Sequence, residues 1–168
     1  MISISAFYDG MFSRAFATFG VERRGSPVTS FVMIGEKDKM TRSKIYNPDH
    51  IIVLDHYLPK FINVIEGIKK NGTLTINTTK SQQDVLKKII KEVKIKLGVV
   101  DATLIAQKVL GRPITNTTML GAFVKVSEVV SFKSILKAIE SRFHGEMLEK
   151  NLKAATLGYE KVKIKTFL

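Results

Sequence analysis

The sequence predicts an α/β fold, an open and mostly parallel sheet with helices on both faces and a helical C-terminal third. Three observations carry that prediction. Short β-branched runs such as Ile51-Ile52-Val53-Leu54 are apolar at every position, the pattern of a strand buried on both faces. These runs alternate with stretches whose apolar residues recur at helical spacing. From Phe132 onward helical spacing dominates.

The elements follow in order. Val28, Phe31, Val32, Met33 and Ile34 form a strand-like run from Pro27 to Ile34, ending at Gly35. Glu36-Lys37-Asp38-Lys39 reads as a polar turn, and Arg42 to Tyr46 as a short strand paired with that run. After the strand at Ile51–Leu54, which ends at Asp55, the residues Leu58, Phe61, Ile62, Ile65 and Ile68 follow helical spacing, and Asn71-Gly72 stops that helix. Thr73 to Thr78 is the next strand. Val85, Leu86, Ile89, Ile90 and Val93 then make a helical stripe capped at Ser81. Val99-Val100 ends a further strand at Asp101, which can cap the helix carrying Leu104, Ile105, Val109 and Leu110. Gly111 and Pro113 close it. Phe132, Ile135, Leu136, Ile139 and Phe143 form one apolar face, and Leu148, Leu152, Ala155, Tyr159 and Val162 a second, with Gly145 between them. Each reads as core packing, the second also as a subunit face. Strands joined by right-handed helical crossovers give a Rossmann-like sheet. In such sheets the ligand crevice lies beyond the C-terminal strand ends. Asp55 and Asp101 stand there, and as lone carboxylates they read more readily as caps or solvated loop residues.

Composition narrows the function classes. At 168 residues the chain is expected to be one domain. It has no cysteine, which excludes disulfides, zinc–thiolate sites and iron–sulfur ligation by this chain. His50, His56 and His144 show no metal-binding spacing. No apolar run is long enough to cross a bilayer, and the N-terminus lacks the charged and apolar regions of a secretory signal, so a cytoplasmic location is expected. The formal charge of +12 fits an acidic protein partner, non-specific nucleic-acid binding or a solvated helix face. Lysines without interleaved arginine and aromatic residues, and without a recognition motif, argue against nucleic acid. There is no G-x-S-x-G elbow, Walker loop or C-x-x-C pair. The chain shows no nucleophile or redox centre of its own.

Two stretches stand out as candidate sites. In Phe19-Gly20-Val21-Glu22-Arg23-Arg24-Gly25-Ser26-Pro27-Val28, charged residues sit between two glycines. Arginine at such a turn presents a rigid fork of donors for a carboxylate or phosphate, so Glu22, Arg23 and Arg24 read as an anion or subunit contact or as a surface turn with a weak ion pair. In Leu110-Gly111-Arg112-Pro113-Ile114-Thr115-Asn116-Thr117-Thr118-Met119-Leu120-Gly121-Ala122-Phe123, Asn116 and Thr117 can donate to a ligand or cap a helix.

Both stretches resemble segments of the gamma subunit of pyruvate (2-oxoacid):ferredoxin oxidoreductases. A third match in order is Phe143, Gly145, Glu149-Lys150-Asn151, Ala154 and Gly158-Tyr159-Glu160, resembling that family's C-terminal helix. The resemblance runs from about Ala6 to Glu160. It implies a single gamma-type domain over 1–162 followed by a basic tail at 163–168, which reads as disordered. Ala6-Phe7-Tyr8-Asp9-Gly10 resembles the end of the family's first helix. The strand and glycine-rich G-x-G-G-Q-G loop that open that helix in the family, roughly 20 residues at ordinary element lengths, have no counterpart here. A misplaced gene start, a trimmed chain or loss of the segment would each account for this, and the anion cradle that such a loop forms is assigned to no residue.

The resemblance implies a complex with alpha, beta and delta subunits that carries out the coenzyme A-dependent oxidative decarboxylation of pyruvate to acetyl-CoA and carbon dioxide, reducing ferredoxin. It implies thiamine diphosphate, magnesium and 4Fe-4S clusters on the other subunits, with coenzyme A as co-substrate. This chain would then be an accessory subunit, with Glu22, Arg23, Arg24, Asn116 and Thr117 as a coenzyme A, anion or subunit contact. A branched-chain 2-oxoacid (ketoisovalerate) enzyme and a stand-alone α/β ligand-binding module remain the alternatives.

Overall fold

Leu74 and Ile76 mark the middle of the molecule. They lie on a strand whose five residues are all buried, at the centre of a four-stranded sheet. The structure, a computed structural model, describes residues 1–18, 28–40, 43–78 and 94–166. The chain runs α1 (Ile2–Tyr8), β1 (Phe12–Thr18), β2 (Thr29–Gly35), β3 (His50–Val53), β4 (Thr73–Asn77), β5 (Lys96–Val100), α2 (Ala102–Leu110), α3 (Asn116–Ser127), α4 (Phe132–Glu140), α5 (Gly145–Lys161) and β6 (Lys163–Thr166). The large sheet has the order β3-β4-β5-β6. The first three strands are parallel, with Ile51 opposite Leu74 and Leu74 opposite Leu97, and β6 runs antiparallel to β5. β1 and β2 form a separate antiparallel pair.

The sheet buries both faces, as its apolar runs predict. On one face Val53, Leu74, Ile76 and Leu97 pack with Ile95, Val64 and Ile65. On the other lies α3, and α2 and α5 pack on α3 in turn. Met119 and Ala122 of α3 meet Val100, Ala102 and Ile105. A side chain at Gly98 of β5 would overlap Val126 of α3, so the glycine sets the distance between helix and sheet. Phe123, Val124, Ile135, Ile139 and Ala155 join α3, α4 and α5 in a further cluster, which also takes in Ala6 of α1.

The expected caps form. The Asp101 carboxylate accepts from the Leu104 N–H at 2.9 Å, and Gly111 closes α2 at φ 71°. Asn71, with φ 65°, takes the left-handed turn expected before β4.

Four expectations are corrected. The helix from Leu58 to Ile68 is a 3₁₀ turn at Leu58–Lys60 followed by further turns. Pro59 lacks an N–H, the Asn63 side chain accepts from the Ile65 N–H at 3.2 Å, and Gly67 adopts φ 73°, so local bonds displace the helical ladder. The segment still buries Val64 and Ile65 against the sheet. The partner of β2 is β1, with Thr18 opposite Thr29, while the described part of 42–46 is irregular. Residues 163–166 are not disordered, because their alternating Lys-Ile-Lys-Thr pairs with β5. Finally, α3 is preceded by Thr115, and neither Asn116 nor Thr117 caps it. Among the described residues the helices lie on one face of the sheet and the turns of 54–72 cover the other. The helix expected around Val85 to Val93 lies outside the described residues.

Candidate functional site

The candidate residues fall in two places. Glu22, Arg23 and Arg24 lie outside the described residues, between the paired strands β1 and β2. Asn116 and Thr117 open α3, and there the structure joins two stretches that are far apart in sequence. Thr117 is buried, and its hydroxyl donates to Asn151 Oδ1 of α5 at 2.9 Å. Asn151 Nδ2 donates in turn to the Met147 carbonyl at 2.7 Å. A Cβ on Gly121 would overlap the Ala155 carbonyl, and one on Gly158 would overlap the Thr118 carbonyl. Two glycines, one on each helix, thus bring the backbones of α3 and α5 into direct contact. Thr117–Asn151 fixes the register at one end of that contact. Asn116, one residue earlier, is exposed. Ile114 and Met147 flank this network as exposed apolar side chains.

A second polar centre lies at the C-terminal edge of the parallel strands. Asn77 was not singled out from the sequence, yet it is 2 % exposed and fully engaged. Its Nδ2 donates to the Leu54 carbonyl at 2.8 Å and to Thr103 Oγ1 at 2.9 Å. Its Oδ1 accepts from the Ala102 N–H at 3.0 Å and the Thr103 N–H at 3.3 Å. One amide therefore ties the end of β3 to the start of α2. Asp55 accepts from the Tyr57 N–H at 2.8 Å and Asp101 caps α2, so both carboxylates have the local turn and cap roles open to them. A polar residue ending a strand that buries all its other positions was the available signal for Asn77.

A third centre joins the N-terminal segment to the start of α4. The Asp9 carboxylate accepts from the Ser131 N–H at 2.6 Å, the Ser131 hydroxyl at 2.7 Å and the Ser134 hydroxyl at 2.6 Å. Burial acts to raise the Asp9 pKa, but these hydrogen bonds and the nearby Lys137 charge outweigh it and hold the carboxyl below its ordinary value. Beside it opens a shallow groove of about 460 Å³, bordered by Asp9, Met11, Val124, Glu128, Phe132 and Tyr159. The Phe132 and Tyr159 rings stack with centroids 4.2 Å apart, and Lys125 Nζ sits 4.8 Å from the Tyr159 ring centre. At the other end of the sheet His50 Nδ1 and Thr73 Oγ1 share a hydrogen bond at 2.9 Å. Burial pushes the His50 pKa down.

These centres lock helices, cap them and present surface. Among the described residues no three His, Asp or Glu side chains gather where they could hold a metal ion. The arrangement is that of an α/β fold with a helical C-terminal part. The family model described as pyruvate ferredoxin/flavodoxin oxidoreductase matches residues 1–161, and the chain belongs to that family. It is 45% identical over 164 residues to the pyruvate/ketoisovalerate oxidoreductases common subunit gamma of Pyrococcus furiosus, covering 98% of this chain and 88% of that one. It is 46% identical over 162 residues to the pyruvate synthase subunit PorC of Methanocaldococcus jannaschii, covering 96% and 86%. The crystal structure of pyruvate oxidoreductase subunit PORC from Thermotoga maritima superposes with a TM-score of 0.81 at 36% identity, covering 97% of this chain and 86% of that one.

Proposed function

We propose that this chain is the gamma subunit of a multi-subunit pyruvate:ferredoxin oxidoreductase, a pyruvate synthase-type enzyme. The observation that carries the reading is likeness along the whole length, 98% of the chain at 45% identity to a protein named as a gamma subunit. The complex joins coenzyme A to the acetyl group left when pyruvate loses carbon dioxide, and passes the electrons to ferredoxin. Thiamine diphosphate, magnesium and 4Fe-4S clusters belong to its alpha, beta and delta chains. The absence of cysteine from this one is consistent with that division of labour. Its own part is to complete the assembly from a cytoplasmic position. No helix among the described residues is long and apolar enough to cross a membrane. Glu22, Arg23 and Arg24 serve as an anion or subunit contact, and the exposed Asn116 as a second, positioned by the buried Thr117 at the locked end of the α3–α5 pair.

A further reading has a specific observation behind it. The Pyrococcus relative is named as common to pyruvate and ketoisovalerate oxidoreductases, so sharing of this chain between the two enzymes is part of the proposal.

Tagging the chain in its native anaerobic cells and identifying what co-purifies tests both. Thiamine-binding and cysteine-rich partner chains, with coenzyme A-dependent oxidation of pyruvate, are expected, and two distinct partner sets if the subunit is shared. Recovery of the chain alone, without that activity, would overturn the reading.

A further inference from the structure

Three stretches distant in sequence meet at the N-terminal edge of the parallel strands. The Asn71 N–H donates to the Lys94 carbonyl at 2.9 Å, and the Lys96 N–H to the Gly72 carbonyl at 3.0 Å. β6 then sets Lys165 opposite Leu97. Lys69, Lys70, Lys94, Lys96 and Lys165 are gathered on one edge by these pairings. Lys69 meets Asp49 at 2.8 Å and Lys96 meets Glu128 at 3.0 Å, while Lys70, Lys94 and Lys165 stand exposed. Two exposed ion pairs contribute little and weaken further in salt. Like charges along one edge repel, and a negative surface facing that edge relieves the repulsion.

We propose that this lysine edge docks an acidic face of a neighbouring subunit, an inference that rests on the subunit reading above. Charge complementarity names the occupant. The chain carries a formal charge of +12, which favours a neighbouring face of opposite charge. A single-stranded nucleic-acid surface would set aromatic rings among its cations for stacking. The five cations gathered here are all lysines, joined by the Asp49 and Glu128 carboxylates. A mobile electron carrier seated here would face a chain with no cysteine to hold a cluster. Leu54 and Leu104 are exposed at the opposite edge of the sheet, while Ile164 beside Lys165 is 38 % exposed.

The test is made on the assembled complex, by native mass spectrometry at about 0.05 and 0.3 M salt. Lys70→Glu, Lys94→Glu and Lys165→Glu are combined in one chain, and a Lys→Gln version of the same three positions is a milder second variant. The reversed chain is expected to lose about 100-fold in affinity for its neighbour at low salt, the neutral one about ten-fold, and both to flatten the salt dependence. Their melting as isolated chains stays at or above that of the parent, because repulsion has been relieved. Wild-type affinity and salt slope in the neutral variant would overturn the proposal. So would intact assembly with loss of binding to a short DNA duplex, which would assign the edge to nucleic acid. If the parent chain recovers no partner, the subunit reading itself fails, and this inference with it.

Discussion

Asp9 shows how one side chain can decide the fate of an element. Three donors converge on its carboxylate at the start of α4, where the helix dipole also favours negative charge. The group is half-buried, and its worth is that of a good helix cap, about 1 kcal/mol. Asp9→Ala should lower stability by that amount, and amide exchange should quicken in α1 before it does in the sheet. The Asp9 pKa is lowered by folding, so its contribution is present above the ordinary carboxylate range and fades as pH falls through the folded value. His50 acts at milder acidity. Its folded pKa is also lowered, by burial, so the folded state favours the neutral ring. Stability should therefore fall as pH drops below the ordinary histidine value of about 6.5. Melting temperature measured from pH 7.5 to 5 is expected to decline less in His50→Gln, and an identical slope in that variant would refute the assignment. Asn116 and Thr117 separate cleanly. Thr117→Val leaves Asn151 Oδ1 without its buried donor and should cost about 1–3 kcal/mol. Asn116→Ala touches an exposed residue that caps nothing and should change stability by no more than about 0.5 kcal/mol. A loss of assembly in Asn116→Ala would then mark a contact rather than a fold defect.

The α3–α5 pair makes the sharpest prediction among the elements. In an ordinary helix, replacing glycine with alanine gains about 1 kcal/mol of helix propensity. At Gly121 or Gly158 the new methyl would strike a backbone carbonyl of the facing helix, and backbone cannot rotate aside. Overpacking of this kind costs about 1–3 kcal/mol or more, so the net effect should be destabilising at both positions. Thermal melts of the two alanine variants check this, and stabilisation in either would mean that the helices are not in backbone contact. Residue patterns made much of the architecture legible. Apolar runs marked β3, β4 and β5, and the stripe from Leu148 to Tyr159 marked α5. The failures have physical causes. Leu58 to Ile68 keeps a helical apolar period, but Pro59, Asn63 and Gly67 break the backbone into turns. β1 was missed because Phe12 to Thr18 lacks a clean apolar alternation, with Arg14 on the same face as Phe12 and Phe16, and because the expected partner for β2 was sought downstream. β6 was missed because a short lysine-rich strand has little apolar signal, and its lysines suit an exposed sheet edge. The candidate site was legible as two separate motifs. That they form one helix pair was not, since nothing local in either stretch points to the other.

At the scale of the whole molecule, the described surface carries large apolar side chains that its own core does not use. Phe7, Tyr46 and Phe61 are each more than 70 % exposed, with relative exposures of 73 %, 71 % and 79 %. Singly, such residues are ordinary. Together with a charge of +12, they describe a chain that is more comfortable in an assembly than alone. Binding that selects the folded state adds RT ln(1 + [partner]/Kd) to stability, about 2.7 kcal/mol when the partner is present at 100 times Kd. For a chain of this size that corresponds to a rise in melting temperature of about 5–10 °C. Differential scanning of the isolated chain and of the reconstituted complex should show this shift, and it should grow with partner concentration. The lysine-edge variants sharpen the comparison. As isolated chains they should melt no lower than the parent, yet in the complex they should recover only part of the rise. A concentration-independent melt that is equal in the two states would mean that the chain gains nothing from partners, and that its exposed side chains are merely solvated.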